Sequence, residues 1–157
     1  MRLLDCTLRD GGYYNRWDFP TDLVRRYVRG LVSAGIDTIE LGFRTLDADG
    51  YLGALAHTTD VYLSGLDLPA DTSFGVMLNA KELVGFDSGP RAAIDRLFAP
   101  ASDSPVSLVR IAATQSEVQG LTPAVERLHE LGYRTGVNLM QVHALSSDDL
   151  KNFGAWA

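Results

Sequence analysis

The sequence has little of what marks several large classes of protein. Its one cysteine, Cys6, cannot form an internal disulfide, which indicates a reducing compartment. Its longest basic run is Arg25-Arg26 and its net charge is −6, so neither nucleic acid nor an anionic membrane is expected as a partner. No apolar stretch approaches the roughly 20 residues that span a bilayer, and the first residues lack the pattern of a signal peptide. We therefore expect a cytoplasmic protein.

The sequence does contain enough apolar residues to form a core. Of its 157 residues 46% are apolar and 22% are charged, which is typical of a globular protein. A domain of this length buries roughly 70% of the surface that its unfolded chain exposes. We expect one domain.

The stretch from Leu3 to Asn15 concentrates residues suited to chemistry. It begins as an apolar strand and ends in Arg9, Asp10 and two glycines. A carboxylate is a hard oxygen ligand for a divalent cation, and an arginine offers a planar fork of donors to a carboxylate or an enolate oxygen. The glycines allow a sharp turn that brings substrate close to the main chain. An isolated Arg-Asp-Gly is more simply a salt-bridged turn, so the tripeptide alone does not establish a site.

Strands and helices are predicted to alternate along the rest of the chain, which indicates βαβ units and a parallel sheet. Arg110 interrupts an apolar strand, so it should meet a carboxylate or line a cavity. The segment with Asp47, Asp49 and Gly50 is too short for a calcium loop and is predicted to be a plain turn. The predicted strands after the first are 36–44, 72–79, 106–113 and 134–141. The predicted helices are about 20–34, 52–66, 92–98 and 124–130, and the second of these has an interruption at 64–65. A further helix is predicted to begin with a capping box at 146–149.

Two architectures fit this alternation. Polar residues follow several strands at their carboxyl ends, as active residues do in parallel α/β proteins. A doubly wound sheet of five strands suits 157 residues, but its glycine-rich phosphate-binding turn is absent. A (β/α)₈ barrel normally takes about 250 residues, so about the first five β/α units would be present. The element pattern by itself leaves both architectures open.

Two segments favour the barrel through a resemblance. The run Asp-Cys-Thr-Leu-Arg-Asp-Gly-Gly-Tyr-Tyr-Asn at 5–15 and Ile-Glu-Leu-Gly-Phe at 39–43 resemble the metal-dependent barrel lyases called DRE-TIM metallolyases. The first run looks most like the 4-hydroxy-2-oxovalerate aldolase-type branch. The resemblance implies a parallel (β/α)₈ TIM barrel. Residues 1–157 would be the N-terminal portion of one aldolase-type catalytic domain, truncated before its later strands.

The resemblance also implies roles for three residues. Asp10 would be a ligand of Mg²⁺ or Mn²⁺, Arg9 would stabilise an enolate oxygen, and Glu40 would orient Arg9 or the substrate. Forming an enolate at neutral pH requires a Lewis acid and a fixed cation at the developing charge, which agrees with these roles. Four further residues lie near predicted strand ends and are expected to contact substrate, although the resemblance gives them no role: Asn15, Arg44, Arg110 and Asn138.

The histidines depart from the family pattern. The family completes its metal site with a His-x-His pair on the seventh strand, and no two of His57, His129 and His143 have that spacing. His143 follows the fifth strand and is a weak candidate ligand. His57 is predicted to be a surface residue, and His129 interacts favourably with a helix end. One carboxylate alone holds Mg²⁺ weakly, because the ion keeps most of its waters.

These observations support several functions. The leading one is a divalent-metal-dependent carbon–carbon lyase that cleaves a 4-hydroxy-2-oxo acid through an enolate, with a small 2-oxo acid as substrate. A related alternative is a Claisen-condensing acyltransferase of the isopropylmalate or homocitrate synthase type. Two others are a non-catalytic half-barrel that binds a partner or forms a homo-oligomer, and a doubly wound nucleotide binder. The 157-residue chain alone is expected to be inactive.

Overall fold

The computed structural model describes residues 2–46 and 50–156, so the turn predicted at Asp47 and Asp49 lies outside the described residues. The strands are β1 (Leu4–Asp5), β2 (Thr38–Phe43), β3 (Ser73–Asn79), β4 (Val106–Ala113) and β5 (Arg134–Leu139). The helices are α1 (Thr7–Asn15), α2 (Thr21–Ser33), α3 (Ala54–His57), α4 (Asp60–Ser64), α5 (Ala80–Val84), α6 (Gly89–Leu97), α7 (Gln115–Val118), α8 (Thr122–Glu130) and α9 (Ser147–Trp156).

The strands form one parallel sheet in the order β1-β2-β3-β4-β5. Each strand therefore lies beside the one that precedes it in the chain. Right-handed crossovers in a sheet of sequential order place every helix on the same face, whereas a doubly wound sheet reverses its order at a switch point. The fold is accordingly a half-barrel with flanking helices, and the prediction of a partial TIM barrel is confirmed.

The apolar core lies between the convex face of the sheet and the helices. In β2, five successive residues are buried, as in strands covered on both faces. Helix α2 contributes Val24 and Val28, four residues apart on one face, and α8 contributes Ala124 and Leu128 with the same spacing. Among the described helices, none is long and apolar enough to cross a membrane.

A bulge in β2 decides which side chains face the concave side of the sheet. Glu40 lies opposite Gly75, but the next residue of β3 pairs with Gly42, which leaves an extra residue in β2. An extra residue shifts the alternation of side chains by one position. Phe43 therefore lies on the same side as Glu40, and Arg44 points to the opposite side, among the helices.

The structure corrects several local predictions. The first strand ends at Asp5, and the Arg-Asp-Gly-Gly sequence lies in helix α1 instead of a turn at a strand end. Helices α5 and α7, each of four or five residues, were too short to produce a periodic pattern. The helix predicted over 52–66 is two helices separated at Thr58, whose φ of 37° ends α3. The second helix, α4, ends at Ser64 and Gly65, where the interruption was predicted.

Candidate active site

Arg9 is positioned by the short helix α1, which begins two residues after β1. Its Nε donates a hydrogen bond of 2.6 Å to Oε1 of Glu40, and its Nη1 donates one of 2.5 Å to Oδ1 of Asp10. Within the described residues, its remaining nitrogen, Nη2, has no hydrogen-bond partner. The side chain is 13% exposed. The guanidinium is thus fixed on two sides and has one nitrogen left for an oxygen ligand.

Glu40 is a fully buried carboxylate held between two arginines. Its other oxygen, Oε2, accepts a hydrogen bond of 3.1 Å from Nη1 of Arg110. A buried carboxylate is costly unless it is paired and hydrogen-bonded, and here each oxygen has a charged donor. Of the two alternatives predicted for Arg110, a carboxylate partner or a place in the wall of a cavity, the structure shows the carboxylate partner.

Asn138 extends this network to the fifth strand. Its Oδ1 accepts a hydrogen bond of 3.1 Å from Nη2 of Arg110. Arg110 and Asn138 lie on β4 and β5, so polar side chains link α1, β2, β4 and β5 on the concave face. The structure therefore brings together five of the seven predicted site residues: Arg9, Asp10, Glu40, Arg110 and Asn138.

Burial and neighbouring charges shift the pKa of Arg9 in opposite directions. Burial lowers the pKa of the guanidinium, but the hydrogen bond to Glu40 and the attraction of Glu40 and Asp10 outweigh it, so the pKa is raised. Arg9 is consequently a permanent cation at this position. Charge-assisted hydrogen bonds to buried groups hold their geometry better than neutral ones, which suits a donor that must meet a developing negative charge.

Asp10 is an exposed member of the cluster, with 56% of its side chain accessible. Its Oδ1 accepts from Arg9, and its Oδ2 accepts a hydrogen bond of 3.3 Å from the thiol of Cys6. Burial and the hydrogen bond to Asp10 raise the pKa of this thiol. Cys6 is therefore a neutral thiol that orients a carboxylate.

The other two predicted residues lie outside the cluster. Asn15, near the end of α1, donates to the carbonyl oxygen of Asp18 at 2.9 Å and stabilises the turn after the helix. Arg44 is 2% exposed and binds the carbonyl oxygens of Thr58 and Leu97 and the carboxylate of Asp60. The β2 bulge turns Arg44 away from Glu40, so its contacts are those of a structural residue.

Sequence reasoning missed Trp17 and Phe43, which support Arg9. Arg16 and Trp17 both have positive φ, of 57° and 58°, which reverses the chain after α1. The indole of Trp17 then donates a hydrogen bond of 2.9 Å to the carbonyl oxygen of Arg9, and the Arg9 guanidinium lies 5.9 Å from the centre of the Phe43 ring. The glycine at position 12 is the feature of the sequence that could have indicated this packing, because a Cβ there would lie 1.9 Å from the Trp17 ring.

The donor set for a metal is incomplete in the described residues. Asp10 fits as one ligand, since it is an accessible carboxylate with hydrogen bonds that fix both oxygens. However, no three His, Cys, Asp or Glu side chains at residues 2–46 and 50–156 are grouped so as to hold an ion. His143 is exposed in the segment after β5, and the ring of His129 bonds Thr135 at 2.7 Å. The described residues therefore supply only part of the ligand set of a divalent cation.

Comparisons with known proteins were made by sequence and by structure. No protein-family model matches the chain. An oxaloacetate decarboxylase of Mycobacterium tuberculosis is 31% identical over 153 residues, which cover 97% of this chain and 43% of the relative. A 4-hydroxy-2-oxovalerate aldolase of Geobacillus genomosp. 3 is 30% identical, over 96% of this chain and 42% of the relative.

Two further matches agree with these. The 4-hydroxy-2-oxovalerate aldolase 6 of Rhodococcus jostii is 31% identical, over 96% of this chain and 40% of the relative. The crystal structure of the N-terminal domain of a candidate aldolase from Bacteroides vulgatus superposes with a TM-score of 0.82 and 28% identity, over 96% of this chain and 48% of that one. The chain therefore spans about two fifths of the length of the relatives that it matches by sequence.

Proposed function

Since the chain belongs to the DRE-TIM metallolyase family, we propose that it forms the N-terminal portion of the catalytic domain of a carbon–carbon lyase that acts on a 2-oxo acid. The relatives are lyases named for two substrates, oxaloacetate and 4-hydroxy-2-oxovalerate. In both substrates the bond that breaks joins C4 to C3, and C3 is the carbon next to the 2-oxo group. Breaking it leaves the same product skeleton, the enolate of a 2-oxo acid.

In the proposed aldol cleavage, the 4-hydroxyl group loses its proton and the bond between C3 and C4 breaks. The electron pair of that bond enters the 2-oxo group as an enolate, and C4 leaves as an aldehyde. A proton added to C3 then gives the free 2-oxo acid. In a decarboxylation, carbon dioxide leaves in place of the aldehyde, and the enolate is the same.

The observation that carries the proposal is the fixed guanidinium of Arg9. Glu40 holds its Nε and Asp10 holds its Nη1, so the orientation of Nη2 is set before any substrate arrives. A donor that needs no reorganisation stabilises an enolate oxygen more than a mobile one does. Arg110 acts through Glu40 and is a positioning residue in this scheme.

Asp10 is the residue that would hold a divalent cation, Mg²⁺ or Mn²⁺. When bound, such an ion supplies Lewis-acid stabilisation of the enolate oxygen. The hydrogen bonds from Arg9 and Cys6 orient the Asp10 carboxylate at the open side of the cluster. Among residues 2–46 and 50–156, no further two His, Cys, Asp or Glu side chains join Asp10 in a group that could hold the ion.

The test uses the full-length gene product and the release of pyruvate from 4-hydroxy-2-oxovalerate in the presence of Mg²⁺. We expect Arg9→Gln to lower kcat by about 10²–10³-fold, as loss of an oxyanion donor does. Asp10→Asn should abolish the metal-dependent rate. Arg29→Gln is the matched control, because Arg29 also pairs with an acid, Asp67, but is largely exposed. Full activity in Arg9→Gln would refute the proposed role.

A further inference from the structure

Three aromatic side chains form a cluster beside Arg9. The rings of Tyr13 and Trp17 lie 4.9 Å apart, those of Trp17 and Phe43 lie 5.4 Å apart, and all are edge-on to one another. Such edge-to-face contacts stabilise aromatic clusters beyond the area that they bury. Phe43 also faces the Arg9 guanidinium, so one wall of the cluster belongs to the candidate active site.

The cluster lines a half-open pocket of about 210 Å³ at the carboxyl ends of β2 and β3. Its apolar walls are the three aromatic rings together with Leu52 and Ala56. Whole-ligand pockets usually measure roughly 300–1,000 Å³. This pocket is smaller, and it suits one substituent of a ligand whose reacting part lies elsewhere.

Among the described residues that line the pocket, Glu82 is the one carboxylate. Its Oε2 accepts hydrogen bonds from the hydroxyl of Thr45 at 2.8 Å and from the backbone of Leu46 at 2.7 Å. These donors hold the carboxylate in place at the wall. Like charges repel strongly where solvent is partly excluded, so a second carboxylate on the substrate is unfavourable here.

We propose that this pocket selects the substrate by binding an uncharged, apolar substituent on C4, the carbon beyond the bond that breaks. The inference rests on the proposed function, because it assumes that the 2-oxo acid group lies at Arg9. It distinguishes between the substrates of the relatives, since a 4-hydroxy-2-oxo acid can carry an apolar group at this carbon, whereas in oxaloacetate this carbon is itself a carboxylate.

The test measures binding of three non-cleavable 2-oxo acids to the full-length gene product by ¹H–¹⁵N NMR with Mg²⁺ present. The probes are 2-oxobutanoate, 2-oxo-4-phenylbutanoate and 2-oxoglutarate, which differ only in carrying hydrogen, a phenyl group or a carboxylate on C4. The indole N–H of Trp17 reports on the pocket, and the Nε–H of Arg9 reports on the 2-oxo acid group. The indole of Trp156, which bonds Thr122, is an internal control.

We expect the phenyl compound to bind about tenfold more tightly than 2-oxobutanoate, as burial of one aromatic group implies. It should shift both the Trp17 and the Arg9 signals, and 2-oxoglutarate should bind more weakly than the phenyl compound. Leu52→Phe should fill the pocket and lower the affinity for the phenyl compound more than the affinity for 2-oxobutanoate. Tyr13→Ala is a second variant with the same expected loss, and Tyr14→Ala, at a 95% exposed neighbour, is its control.

Each other outcome overturns a different statement. If all three probes shift Arg9 equally and Trp17 stays unchanged, the pocket is not a specificity site, and the proposed function stands. If the phenyl compound shifts Trp17 without shifting Arg9, the pocket binds aromatic groups independently of a 2-oxo acid site, which refutes the inference. If no probe shifts either signal, both proposals fail.

Discussion

Glu40 and Arg110 are 70 residues apart in the chain and form an ion pair of 3.1 Å across the width of strand β3. On β3, Gly75 lies opposite Glu40, and Met77 lies opposite Arg110. The same carboxylate holds Arg9 from the other side. The position of the candidate catalytic arginine therefore depends on a pairing between residues of three separate β/α units.

Loss of the Glu40 charge should destabilise the fold. In Glu40→Gln, two arginines would share one neutral partner, and breaking a buried ion pair costs about 3–5 kcal/mol of unfolding free energy. We expect a decrease of about 3 kcal/mol, measured by urea unfolding. Asp67→Asn, which removes the exposed partner of Arg29, should change stability by no more than about 0.5 kcal/mol. Equal effects of the two changes would show that the Glu40 network contributes nothing special.

Replacement of the two glycines of α1 by alanine should change the stability of the fold in opposite directions. A Cβ at Gly12 would lie 1.9 Å from the Trp17 ring, so Gly12→Ala must displace the indole, at a cost of about 1–3 kcal/mol. A Cβ at Gly11 would meet only Phe19, at an ordinary 3.6 Å, and alanine is the better helix former by about 0.5–1 kcal/mol. Thermal unfolding and Trp17 fluorescence measure both effects. A Gly12→Ala protein with native stability and fluorescence would contradict this packing.

Tyr62 offers a stabilising substitution. Its buried hydroxyl oxygen has no hydrogen-bond partner among the described residues, and an unsatisfied buried polar group costs about 1–3 kcal/mol. We expect Tyr62→Phe to raise the unfolding free energy by about 1 kcal/mol. Tyr133→Phe is the matched control, because the Tyr133 hydroxyl donates to the carbonyl oxygen of Ala99 at 2.9 Å, and its loss should lower stability. Destabilisation of Tyr62→Phe would reveal a partner for this hydroxyl.

Glu130 should make stability depend on acid pH. Hydrogen bonds from Arg91 and Arg127 lower the pKa of this carboxyl to about 2 from its ordinary 4.5. Because the pKa is lower in the folded chain, the contribution is complete above pH 4.5 and is lost as the pH falls from 4.5 towards 2. The difference in melting temperature between the native chain and Glu130→Gln should therefore shrink over that interval. A difference that is constant from pH 6 to pH 2.5 would contradict the ion pairs, and 0.5 M salt should reduce it at neutral pH.

The sequence predicted the elements with long apolar patterns best. Strand β4 has the predicted bounds, Val106–Ala113, because a segment in which six of eight residues are apolar admits few alternatives. Helix α1 was missed, because two glycines and a polar pair resemble a turn, whereas packing of Trp17 against Gly12 favours the helix. Tertiary contact decided the local conformation there, and no pattern within the segment records it.

The candidate site was predicted in composition but not in geometry. The Arg-Asp motif and the glutamate of the second strand were recognisable, and Arg110 was expected to meet a carboxylate or to line a cavity. That this carboxylate is Glu40 depends on strand order, which periodicity does not encode. Arg44 was misplaced because a single extra residue in β2 reverses the direction of its side chain, and a bulge leaves no distinct signal in one sequence.

The strands are synthesised in the same order in which they lie side by side in the sheet. Each strand finds its neighbour already made, so the sheet can grow in the direction of translation. Glu40, however, leaves the ribosome 70 residues before Arg110, which at roughly 5–20 residues per second is a delay of roughly 4–14 s. Until then β2 carries a carboxylate with only one of its two arginines, so the last step in setting Arg9 in place is the arrival of the fourth strand.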